Sequence, residues 1–98
     1  MKMLLIVFRH SIVEHVHALL KEYEVNAFTE LHNVAGRGET GPTVQFLLSP
    51  GANSMILTAV SEQLAYRLID GFTRFKTEQE KDQHDHVHVF ILPCEQVV

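Results

Sequence analysis

The first nine residues, MKMLLIVFR, form an almost unbroken apolar run with branched side chains, which predicts a strand. Successive strand residues point to opposite faces, so Met3, Leu5 and Val7 share one face and Leu4, Ile6 and Phe8 the other. Ser11-Ile12-Val13-Glu14 then spells the S-x-x-E capping box that opens helices. Ile12, Val16, Leu19, Leu20 and Tyr23 follow at helical spacing and make one apolar stripe. Asn26 sits in the turn beyond. Residues 27–35 predict a second strand, with Thr29 and Val34 favouring it. After a glycine-rich stretch come a short apolar piece at 44–48, the turn SPGANS, and a third strand over 54–60, SMILTAV. Ser61 is placed to cap a second helix, with Glu62 favourable in its first turn. Leu64, Ala65, Leu68, Phe72 and Phe75 form its stripe. Gly71 inside that helix costs about 1 kcal/mol against alanine and calls for a packing reason. KTEQEKDQHD is a polar helix end and loop, and residues 86–93, HVHVFILP, predict the last strand.

The order is β-α-β-β-α-β, the ferredoxin-like split unit. The fold class is therefore α+β: one ferredoxin-like domain over residues 1–98, an antiparallel sheet with two helices on one face. The first strand is nevertheless apolar on both faces. The last strand repeats this, with Val87, Val89 and Ile91 opposing Phe90 and Leu92. A face left in water should alternate polar with apolar, so something covers the second face. Either residues 44–48 fold over it or another copy of the chain does; the patterning favours an oligomer.

Composition narrows the function classes. The chain is 46% hydrophobic and 20% charged, which marks it as globular rather than disordered. A net charge of −4, with Lys and Arg unclustered, argues against nucleic acid, whose binding needs a basic face. No apolar run approaches the roughly 18 residues of a membrane span. The N-terminal run is too short for a signal peptide and lacks a small-residue cleavage site. One cysteine, Cys94, rules out an internal disulfide framework and fits a reducing, cytoplasmic setting.

Candidate chemistry lies in three places. HNVAGRGETGPT, from His32 to Thr43, contains GRGETG, but it links strand to strand, so no helix N-terminus stands behind it to hold a phosphate. Its amides with Arg37 suit an anion nest or a partner contact, and the connection over 36–53 is long for a hairpin. Gly36, Arg37, Gly38 and Glu39 are thus the candidate effector- and partner-binding residues. HDHVH places His84, His86 and His88 at alternating positions entering the last strand; imidazoles sharing a face suit Zn, Cu or Ni, making these the candidate metal ligands. His10, Glu14 and His17 form a second imidazole–carboxylate cluster, with Glu14 already engaged in capping. Cys94 has no readable base beside it and reads as a small buried hydrophobe. FRH at the first helix invites comparison with acylphosphatases, but the glycines of their phosphate cradle are missing. No catalytic residues stand out.

The element order, the strand ending AFTELHNVAGRG, SMILTAV, and the strand ending VFILPCE together resemble the PII-like signal-transduction family over nearly the whole chain. The run T-E-x-x-x-V-x-G-x-G from Thr29 to Gly38 is similar to the approach to that family's T-loop. The resemblance implies a non-enzymatic homotrimer with its sheets facing inward. It implies small effectors, often adenine nucleotides, in clefts between subunits at the loop's base. It also implies a mobile arm that contacts a protein partner such as a membrane transporter. The arm here is shorter than in nitrogen-regulating members and has no tyrosine. FKTEQEKDQHDH replaces the family's glycine- and lysine-rich phosphate turn, which argues against ATP and 2-oxoglutarate sensing of that type. The closer likeness is to short, divergent members, some of which accompany heavy-metal efflux. The alternatives are a CutA-like protein binding a divalent transition metal, or a small enzyme of acylphosphatase type.

Overall fold

The computed structural model describes residues 1–35, 53–78 and 87–98. Four strands, β1 (Lys2–Arg9), β2 (Thr29–Val34), β3 (Asn53–Val60) and β4 (Val87–Pro93), form one sheet in the order β2-β3-β1-β4. All of their pairings are antiparallel. Helices α1 (Val13–Glu22) and α2 (Glu62–Glu78) follow β1 and β3. This is the ferredoxin-like α+β arrangement that the patterning predicts.

The inward row of β1 is Leu4, Ile6 and Phe8, each 1% exposed or less. Register sets Leu4 between Thr58 and Ile91, Ile6 between Ile56 and Val89, and Phe8 between Ser54 and Val87. The stripes of both helices close over this row: Val16 and Leu20 from α1, and Ala65, Leu68 and Phe72 from α2, all buried. Burial of Thr58 is matched by its hydroxyl donating to the Ala27 carbonyl at 2.9 Å.

Gly71 has the packing reason its position demands. A Cβ there would stand 2.7 Å from Cε2 of Tyr23, so the glycine seats the tyrosine ring against α2. The Tyr23 hydroxyl accepts from Nη2 of Arg74 at 2.8 Å, and the Arg67 guanidinium lies over the ring, 5.5 Å from its centroid.

Helix ends follow the expectation at α2 and depart from it at α1. Ser61 Oγ accepts from the Leu64 amide at 3.2 Å, a working N-cap. At α1 the capping box does not form. The chain leaves β1 through a 3-10 turn, His10–Ile12, which places Ser11 inside the turn and makes Ile12 the residue before α1, with no side-chain cap. Glu14 keeps only its favourable place in the first turn. The far end of α1 closes with Val25 N–H donating to the Leu20 carbonyl at 2.8 Å, across Glu24 in the left-handed region at φ 62°.

The opposite sheet face carries Met3, Leu5, Val7, Leu31, Met55, Leu57, Phe90 and Leu92. No described segment covers it: Leu31 is 46%, Phe90 53% and Leu92 46% exposed. Residues 44–48, the alternative cover, lie outside the described residues.

Candidate functional site

β2 ends in an irregularity. Its register with β3 shifts between Leu31 and Val34, and Asn33 takes φ 58°, a conformation that asparagine tolerates better than most residues. Here the strand is tied to the middle of α1. The Glu30 carboxylate accepts from Nε2 of His17 at 2.6 Å and from Nε2 of His32 at 2.7 Å. In the 3-10 turn, Nδ1 of His10 is hydrogen-bonded to the buried Ser54 hydroxyl at 3.0 Å, and its ring lies 5.3 Å from that of His32. Phe28 packs on His17 with ring centroids 5.8 Å apart. Three histidines and one carboxylate thus join the 3-10 turn, helix and two strands at the two chain ends that border residues 36–52.

Alternation explains why the carboxylate points this way. Glu30 pairs with Ile56 in register, so it lies on the helix-facing side of the sheet, where α1 presents His17. Burial raises its pKa, but the hydrogen bonds and charges of His17 and His32 outweigh this and hold it below the ordinary glutamate range. A lowered pKa contributes stability that is present above the unfolded value and lost as pH falls through the folded one. Thermal unfolding of the wild type should therefore lose stability below about pH 4 more steeply than Glu30→Gln, which has no carboxylate to protonate there. Parallel acid limbs in the two proteins would contradict the pairing.

The sequence pattern groups His10 and His17 with Glu14 as their acid. The structure brings Glu30, His32 and Ser54 to them instead. Glu30 and His32 at i, i+2 were the readable sign, since two polar residues on one strand face need partners.

The other candidates fare differently. Gly36, Arg37, Gly38 and Glu39 lie outside the described residues, as do His84 and His86. His88 is exposed, and by alternation it faces away from the helices with Phe90 and Leu92. Among the described residues, no three His, Cys, Asp or Glu side chains are arranged to hold a metal ion. A groove of about 250 Å³ runs between α2 and β4, lined by Phe72, Thr73 and Lys76 on one side and Val87, His88 and Phe90 on the other. No helix among the described residues is long and apolar enough to cross a membrane.

Comparison with known proteins places this geometry. The sequence profile for nitrogen regulatory protein P-II matches residues 1–98. Among solved structures, CPII, a nitrogen regulatory PII-like protein from Thiomonas intermedia K12, bound to ADP, AMP and bicarbonate, is 28% identical with a TM-score of 0.69, over 92% of this chain and 86% of its own. The same protein bound to ADP and bicarbonate gives 28% identity and a TM-score of 0.71, over 93% and 82%. A PII-like signalling protein from Thermus thermophilus, 20% identical with a TM-score of 0.61 over 93% and 82%, shares the fold. No curated protein matches the chain in sequence.

Proposed function

The chain belongs to the nitrogen regulatory protein P-II family, and on that footing we propose that it is a non-enzymatic regulator of the reducing cytoplasm that assembles as a trimer and binds an adenine nucleotide, with bicarbonate as a second effector. The apolar sheet face that no described segment covers carries this reading. Among the described residues, Leu31, Phe90 and Leu92 stand exposed beside Met3, Leu5 and Leu57, a contiguous apolar surface of the kind that marks an interface. Three inward-facing sheets, the arrangement that the family resemblance implies, would cover it.

The choice of effector rests on the nucleotide- and bicarbonate-bound CPII structures. Clefts between subunits near the ends of β2 and β3 are the proposed effector sites. The connection over 36–53, with Gly36, Arg37, Gly38 and Glu39, is the proposed contact for a partner protein, a membrane transporter being one such partner. Static light scattering tests the assembly on which all of this depends. It should give three times the protomer mass of 11.2 kDa across the micromolar range. A monomer throughout that range would overturn the reading.

A further inference from the structure

The histidine–glutamate cluster holds its hydrogen bonds in one direction. A carboxylate only accepts hydrogen bonds, so His17 and His32 must each carry a hydrogen on Nε2 to reach Glu30. Nδ1 is then the atom that takes the next proton. Histidine is the side chain that ordinarily gains its charge between pH 5 and 8. The acceptor is already ionised, so that proton turns a charge-assisted hydrogen bond into an ion pair and adds Coulombic attraction to it. The same step has the opposite effect on the other side of the cluster. His10 and His32, with ring centroids 5.3 Å apart, become like charges, and among the described residues the one carboxylate in contact is already shared by His17 and His32.

The described neighbours bring groups of mixed charge to the cluster. On α1, Glu14 and Lys21 lie three residues before and four residues after His17, with opposite charges. β3 presents Ser54, which does not titrate, and Phe28 offers an apolar ring. Arg9, at the end of β1, is paired with Asn53 and alternates to the other sheet face. With all imidazoles neutral, the end of β2 is shared between α1 and the 3-10 turn. With them charged, it is drawn to α1 and repelled from the turn.

We propose that His10, His17, Glu30 and His32 form a proton-driven clasp at the end of β2, which on acidification exchanges the His10–His32 contact for a tighter His17–Glu30–His32 bridge. The clasp follows from the cluster's own geometry and stands whether or not the protein binds nucleotide. Its consequence is that the two strand ends bordering residues 36–52 change their mutual attachment with proton concentration.

NMR of the full chain between pH 8 and pH 5.5 tests it. At pH 8 the imidazole nitrogens of His17 and His32 should show the Nε2–H tautomer. At pH 5.5 the amides of residues 30–32 should gain up to about fivefold protection from exchange, the factor that about 1 kcal/mol of added attraction in a partly exposed ion pair gives. The nuclear Overhauser contact between the His10 and His32 rings should disappear. Protection of Ile6 and Ile56 in the core should stay constant, so a uniform change across the chain would count as general unfolding and against the clasp. In Glu30→Gln the gain at 30–32 should vanish, whereas in His15→Asn, altered on the Phe75 side of α1, it should persist. Should Glu30→Gln fail to fold, His17→Gln serves in its place and should likewise lose the gain. A mixed tautomer at pH 8, an unchanged His10–His32 contact, or equal protection at the two pH values in the wild type would overturn the proposal.

Discussion

Leu5→Asp should yield monomers at micromolar concentration that remain folded. Leu5 sits between Leu57 and Phe90 in register, at the centre of the sheet face that no described segment covers. In a separate protomer an aspartate there meets water, as polar residues do on the open face of an antiparallel sheet. In the assembly it would be desolvated without a partner, at an effective cost of several kcal/mol per ion. Every 1.4 kcal/mol is a factor of ten in association, so the proposed trimer should be lost over the whole micromolar range. Light scattering reads the mass and far-ultraviolet circular dichroism reads the fold. A variant that keeps the wild-type mass would show that this face is not the interface.

Ile6→Ala, one residue along, should act on the protomer instead. Ile6 is fully buried between Ile56 and Val89, beneath both helices. Removing its branched side chain gives up the transfer energy of the lost carbons and leaves a cavity, together about 2–5 kcal/mol. Single domains have only about 5–15 kcal/mol in total, so the variant should unfold at a clearly lower urea concentration. Protein concentration must be held fixed, because an assembled state adds stability by mass action. A loss below about 1 kcal/mol would contradict the packing of the inner face.

These adjacent positions show how much of the fold was legible. Strand alternation alone separated Leu4, Ile6 and Phe8 from Met3, Leu5 and Val7, and it exposed the need for a cover on the second face. The element order gave the topology, because few arrangements of β-α-β-β-α-β bury two helix stripes on one sheet. Local signals near Ser11 misled. The S-x-x-E spacing was present, but how β1 hands the chain to α1 depends on the path of the 3-10 turn, which the capping residues do not encode. The cluster at Glu30 was half legible for a similar reason. His10 and His17 are close along the chain, but Glu30, His32 and Ser54 reach them only through the pairing of β2 with β3 and the packing of α1 on the sheet. Gly71 announced a close contact without naming Tyr23, since the partner of a helix glycine is set by the crossing of two helices.

The central claim is that this P-II family chain is an assembled protein that binds an adenine nucleotide. Calorimetric titration of the purified protein with ADP and with AMP, each with and without bicarbonate, tests it most directly. The account predicts saturable binding of at least one nucleotide, with no more than one site per protomer, and loss of that binding in the monomeric Leu5→Asp variant. No binding of either nucleotide under any of these conditions, by a protein that light scattering confirms to be assembled, would contradict it.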